Sequence, residues 1–112
     1  MNVSITGRNI ELNDSLKKYI NNKMAKIEKF YNRINGCDVI LDAEKTLKTI
    51  EIIVYLKRNR IVAREAATDI YASVDKAGDN IKKQLRRLRG KAASRRRKAV
   101  MGKIMDMGKW GK

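Results

Sequence analysis

The chain has 112 residues, with 27 Lys and Arg against 12 Asp and Glu, and a formal net charge of +15. That length supplies one domain with a modest core, and histidine is absent while cysteine occurs once. The commonest general base and metal ligand is therefore missing, neither an internal disulfide nor the usual zinc sites can be built, and no apolar run is long enough to span a bilayer.

The charge is unevenly distributed. Residues 1–80 carry fourteen Lys/Arg and eleven Asp/Glu, a net of +3, whereas residues 81–112 carry thirteen and one, a net of +12. Clustered charge repels itself until a polyanion neutralises it, so nucleic acid and an anionic membrane are the candidate partners. Met1–Gly7 lacks the charged lead-in and apolar centre of a secretory signal. With the single Cys37, this predicts a reducing cytoplasm and favours nucleic acid over membrane. Cys37 itself reads as a small buried hydrophobe on a strand.

Val3-Ser4-Ile5-Thr6 alternates apolar and polar residues up to Gly7 and predicts a short strand stopped there. Asn13 can cap a helix, and Asp14 suits the positive end of its dipole. Leu16, Tyr19, Ile20, Met24, Ile27, Phe30, Tyr31 and Ile34 recur at helical spacing, which predicts a helix from about Asp14 to Asn32. Lys17, Lys18, Lys23, Lys26 and Lys29 occupy its outer positions.

Asn35-Gly36 breaks that helix, and three strands follow. Cys37, Val39, Leu41 and Ala43 alternate along the first; Ile50, Ile52, Val54 and Leu56 alternate along the second. Lys57-Arg58-Asn59-Arg60 reads as a polar turn, and Ile61 to Ala67 as the third strand, in which either Ile61/Ala63 or Val62/Ala66 can be the buried set. Thr68 and Asp69 then stand where a helix cap is wanted. Tyr71, Val74, Ala77, Gly78, Ile81, Leu85 and Leu88 fall three or four apart on one helix face. After Leu88 the apolar period fades, predicting that the helix ends or frays, and Val100 to Lys112 reads as a mobile basic tail.

The order is β-α-β-β-β-α. A strand, helix and strand in succession predict a parallel pair with a right-handed crossover. Each helix has one apolar side, so both can lie on one face of a four-stranded sheet in a two-layer α+β domain over residues 1–90, followed by a tail over 91–112. The other face would be solvated, with Asp42, Glu44 and Glu51 on it.

Past Lys82 the polar positions are almost all cationic: Lys82, Lys83, Arg86, Arg87, Arg89, Lys91, Arg95, Arg96, Arg97 and Lys98. Opposing carboxylates are missing through that stretch, so it reads as a surface for RNA phosphates, which Arg can grip with two hydrogen bonds. If the helices lie side by side, Lys23, Lys26 and Lys29 join the same patch, although lysines on an outer helix face can equally be solvated. Tyr19 and Tyr71 read as core residues with a polar tip. Tyr55, placed by strand alternation away from the helices, is the tyrosine free to stack on a base. Trp110 can stack on a partner or lie idle. Asp69 and Asp75 are six apart on a helix, which faces them differently and argues against a catalytic pair.

Several stretches carry a family resemblance. Ile5-Thr6-Gly7-Arg8-Asn9, Leu16-Lys17-Lys18-Tyr19-Ile20 and Met24 to Tyr31 are similar to the opening of the ribosome hibernation-promoting factor and ribosome-associated inhibitor family. Cys37-Asp38-Val39, Asp69-Ile70-Tyr71-Ala72-Ser73-Val74-Asp75 and Ile81-Lys82-Lys83-Gln84-Leu85 resemble its later motifs, the Asp69–Asp75 run most distinctively. The resemblance covers residues 1 to about 90. It implies a fold similar to the double-stranded-RNA-binding domain and a stress factor in the small-subunit channel between head and body. There it would exclude tRNA and messenger RNA from the decoding region. The family's rRNA-facing cations would fall on Lys23, Lys26, Lys29, Lys82, Lys83, Arg86, Arg87 and Arg89.

Two departures stand out. The second, dimer-forming domain of long family members is not expected here, and the tail is basic where inhibitor-type tails are often acidic. The expected protein is a non-enzymatic, short-form factor without cofactor, metal or small-molecule substrate, monomeric off the ribosome. A general double-stranded-RNA-binding or assembly protein and a structural ribosomal protein are the alternative readings.

Overall fold

Asn13 fixes where the first helix begins. Its side-chain oxygen accepts from the Leu16 N–H at 2.8 Å, with extended backbone at Asn13 (φ −87°, ψ 169°), satisfying one of the donors a helix start leaves orphaned. In this computed structural model, which describes the backbone of residues 1–101 and the side chains of residues 1–90, the elements are β1 (Asn2–Arg8), α1 (Asp14–Phe30), β2 (Gly36–Glu44), β3 (Leu47–Tyr55), β4 (Arg60–Ala67) and α2 (Ile70–Met101). The β-α-β-β-β-α order agrees with the sequence. Lys91, Arg95, Arg96, Arg97 and Lys98 lie outside the described side chains, as do the 102–112 tail and Trp110.

The chain divides into a unit Met1–Lys82 and a second beginning at Lys83, the boundary falling within α2. In the first unit the sheet order is β1-β2-β3-β4. β1 pairs with β2 in parallel, Ile5 opposite Val39, and both later pairings are antiparallel. Leu16, Ile20, Met24 and Ile27 of α1, Val39, Leu41, Ile50, Ile52, Val54 and Ala63 of the strands, and Val74, Ala77 and Ile81 of α2 are all buried. These are the alternate strand positions and the three-to-four-spaced helix positions, so the two periods meet in one layer between sheet and helices.

Burial also decides β4. Ala63 is buried and Val62 exposed, so Ile61/Ala63 is the inward set. The other sheet face carries Asp42, Glu44 and Glu51 as expected, and the registers Ile40↔Glu51 and Ile53↔Val62 add an apolar row among them.

Three boundaries differ from the sequence reading. β1 runs through Gly7 to Arg8: a Cβ on Gly7 would lie 2.9 Å from both Ile10 O and Leu12 Cγ, so glycine is there because the chain folds back closely over it. Asn9, with φ 57°, makes that turn in the left-handed region that asparagine tolerates. α1 ends at Phe30 rather than near Asn32. Tyr31 is already extended while its N–H still reaches Ile27 O at 2.9 Å, and soon afterwards the Asn35 N–H donates to Tyr55 O at 2.8 Å, committing the chain to the sheet. α2 continues to Met101 instead of stopping near Leu88. Alanine, arginine and lysine are strong helix formers, and the single Gly90 costs only about 1 kcal/mol.

The Cys37 thiol is buried, and burial, followed by the charge of Asp38, pushes its pKa up to about 11. The thiolate is the reactive form. Cys37 should therefore resist a thiol-specific reagent at neutral pH and react at the rate of global unfolding, measured as labelling against denaturant; fast labelling without denaturant would contradict the burial.

Candidate nucleic-acid interface

The cations of α1 fall into two groups. Lys26 and Lys29 are exposed on its outer face. The Lys23 side chain is only 24 % exposed, and its stem crosses α2 at Gly78. A Cβ at Gly78 would lie 2.5 Å from Lys23 Cε and 2.9 Å from Cγ, so the absent side chain makes the groove that the stem occupies. Beyond it the ammonium lies 3.2 Å from Asp79 Oδ1 and 3.7 Å from Asp75 Oδ1.

One turn nearer the start of both helices, the Tyr19 hydroxyl donates to Asp75 Oδ1 at 2.6 Å. Its ring meets Tyr71 edge to face, centroids 5.0 Å apart at 85°, the geometry that aromatic quadrupoles prefer. The bond to Asp75 is the main reason the Tyr19 hydroxyl titrates above its ordinary 10.0, followed by burial and the negative charges of Asp75, Asp69 and Asp79. Tyr19, at 36 % exposed, thus belongs to a seam between helices. Asp75 serves that seam, and Asp69 supplies the carbonyl that accepts the Ser73 N–H at the start of α2.

At the far end of α1, Lys82 Nζ sits 5.4 Å from the centre of the Phe30 ring, a cation–π contact at an exposed site. From Lys83 onward α2 exposes Lys83, Arg86, Arg87 and Arg89 and buries Leu85. Helical spacing returns a cation to the same side of the helix on each turn. Tyr55 is on the outer sheet face as expected, half-buried, with its hydroxyl donating to Asp38 Oδ2 at 2.7 Å. That bond is the first cause of its raised pKa.

Arg33 and the turn residues Lys57, Arg58 and Arg60 are exposed as well, and the sequence reading did not count them as site residues. Their signal was visible in the density of cations over residues 57–60. Their position at one end of the sheet was not.

Among the described residues no group of three His, Cys, Asp or Glu could hold a metal ion, and no helix is long and apolar enough to cross a membrane. A two-layer α+β domain that exposes cations along its helices while holding Asp75 and Asp79 at their seam presents a surface whose charge suits a polyanion. Comparison with known proteins narrows the class. Residues 3–93 match the family described as "Sigma 54 modulation protein / S30EA ribosomal protein", and the chain belongs to that family. Its members are ribosome-associated proteins and not enzymes.

The chain is similar to the ribosome hibernation promoting factor of Escherichia coli K12, 33 % identical over 85 residues, covering 76 % of this chain and 90 % of the relative. The Salmonella typhimurium protein of the same name is 32 % identical over 91 residues, covering 81 % and 96 %. Among solved structures, the N-terminal domain of Thermus thermophilus Protein Y superposes with a TM-score of 0.72 at 28 % identity, covering 79 % of this chain and 99 % of that one. A ribosomal subunit interface protein from Coxiella burnetii shares the fold, with a TM-score of 0.76 at 22 % identity, covering 80 % and 99 %.

The seam generates two predictions. In an otherwise unhindered helix Gly→Ala gains about 0.8–1 kcal/mol, but here the new methyl displaces the Lys23 stem. Gly78→Ala should stabilise the Lys23→Ala background by about that amount and be neutral or destabilising in the wild type, a coupling of about 1 kcal/mol in a denaturant double-mutant cycle. A folded-state hydroxyl that titrates above its unfolded value contributes stability below the unfolded value and loses it as pH rises through the folded one. Wild-type thermal midpoints should accordingly fall more steeply above pH 10.0 than those of Tyr19→Phe.

Proposed function

We propose that this protein is a ribosome hibernation factor. It binds the small ribosomal subunit through rRNA at the decoding channel, covers the tRNA and messenger RNA sites, and inhibits translation under stress or in stationary phase. The observation that carries this reading is α2: from Lys82 it exposes Lys83, Arg86, Arg87 and Arg89, in a chain whose relatives bear the name ribosome hibernation promoting factor.

The mechanism is steric. A rigid domain occupies the volume that tRNA and messenger RNA need, and phosphate contacts hold it there. Lys26, Lys29, Lys82 and the α2 cations make those contacts, Arg86 and Arg87 with the option of two parallel hydrogen bonds each. Lys91, Arg95, Arg96, Arg97 and Lys98 extend the series along the chain. Lys23 acts from behind, aligning α1 with α2 while its ammonium is held by Asp79. The proposed protein works in the cytoplasm as a monomer off the ribosome, with neither membrane nor small-molecule partner.

Binding through about 6–10 phosphates should weaken by roughly 10³–10⁵ between about 50 and 200 mM salt. Arg86→Glu with Arg87→Glu should abolish cosedimentation with isolated small subunits and leave the circular dichroism spectrum unchanged, because both side chains are exposed. Messenger RNA plus tRNA should displace the wild-type protein. A flat salt response, or retention of the double variant, would reject the electrostatic reading; failure of displacement would reject the decoding-channel location.

A further inference from the structure

We infer that the β3–β4 turn, through Lys57, Arg58 and Arg60, is a second RNA-phosphate contact, separate from the helical cations and reading the same partner. The inference rests on the ribosome-binding reading above and adds to it a site on a different element.

The turn is a built feature. β3 ends at Tyr55 and β4 begins at Arg60 opposite it, so Leu56 to Asn59 form a four-residue connection closed by the Leu56 N–H donating to Asn59 O at 2.8 Å. No described non-glycine residue outside Asn9 and Lys45 has positive φ. The loop therefore holds its shape without a glycine, and every residue from Lys57 to Arg60 is exposed.

Its location follows from topology. The Asn35 N–H bonds Tyr55 O at 2.8 Å, which ties the end of β3 to the segment leaving α1, where Arg33 is exposed. α2 returns over β4 in the opposite sense, Lys76 Nζ reaching Ala66 O at 3.2 Å and Asn80 Nδ2 reaching Glu65 Oε2 at 2.9 Å. By Lys82, which caps the Phe30 ring, α2 has travelled toward the end of the sheet where the turn lies. Lys29, Arg33, Lys57, Arg58, Arg60 and Lys82 consequently share one end of the Met1–Lys82 unit.

Little opposes them there. Glu28 is paired with the Met1 ammonium at 3.0 Å and Asp38 accepts the Tyr55 hydroxyl. Among the described residues, no ion pair involves Lys57, Arg58 or Arg60. Hairpin tips are normally polar, but three cations around one asparagine repel each other, and a line of phosphates relieves that repulsion. RNA is favoured over an anionic membrane because the turn itself exposes no large apolar side chain: of the described ones, Tyr19, Leu47 and Val62, only Val62 stands near it, as a single residue in β4 two positions beyond Arg60.

The test compares wild type, Lys57→Ala/Arg58→Ala/Arg60→Ala, and a charge-matched control, Lys17→Ala/Lys18→Ala/Lys45→Ala, in salt titrations of binding to isolated small subunits. Each lost phosphate contact lowers the slope of log affinity against log salt by about 1. The turn variant should therefore lose about 2–3 and the control less than about 1. The pair Lys57→Ala/Arg58→Ala, which leaves β4 intact, should lose about 2 with an unchanged thermal midpoint. A turn variant that keeps the wild-type slope overturns this inference and leaves the hibernation reading standing, as does loss of binding to anionic phospholipid vesicles with subunit binding unchanged. Failure of the wild-type protein to bind subunits overturns both.

Discussion

The parallel pairing of β1 with β2 is the constraint from which the arrangement of the first unit follows. Two adjacent strands running the same way need a connection that returns along the full length of the strands, and α1 is that connection. Because β2, β3 and β4 then alternate in direction, α2 leaves the sheet at the end where α1 began. The two helices thus run side by side in the same sense, which Tyr19 against Asp75 and Lys23 against Asp79 record in order along both. With an antiparallel first pair, β4 would have ended at the opposite end of the sheet and sent α2 the other way.

Parallel neighbouring helices have aligned macrodipoles, an arrangement that gains nothing from dipole pairing and places both positive ends together. The seam offsets this with specific contacts: a lysine stem seated over Gly78, its charge between two carboxylates, and a tyrosine pair edge to face. Lys29 in the last turn of α1 complements the negative end of that helix directly. Lys29 thus has a structural reason to be there before any ligand is considered.

Most of the fold was legible because two periods dominate the sequence. Residues 50 to 56 alternate too cleanly for a helix, and Leu16 to Ile27 repeat too regularly for a strand. What escaped was set by contacts distant in sequence. Gly7 looked like a stop because nothing local reveals that Ile10 O and Leu12 will pack over it. Lys23 looked like its neighbours Lys26 and Lys29, since its partners lie 52 and 56 positions away (Asp75, Asp79). The facing of β4 is ambiguous in sequence because alanine and valine serve either side, and the end of α2 is hidden there because the apolar period stops before the helix does. A helix whose polar positions are arginine and lysine needs no buried stripe to keep its backbone propensity.

Net charge by segment also misleads, for a related reason. Residues 1–80 sum to only +3, yet several of their carboxylates have internal tasks: Asp75 and Asp79 hold the seam, Asp38 accepts from Tyr55, Asp42 from Asn9, Glu65 from Asn80, and Glu51 pairs with Arg64. Lys26, Lys29 and the cations of the β3–β4 turn enter no ion pair among the described residues. Over a screening length of about 8 Å in physiological salt, a polyanion responds to the local imbalance and not to the sum. The unit that counts as nearly neutral is therefore polar in its charge, with acids tied into the structure and cations left at its surface. Exchanging the mobile counterions of those cations for other anions disturbs no ion pair among the described residues.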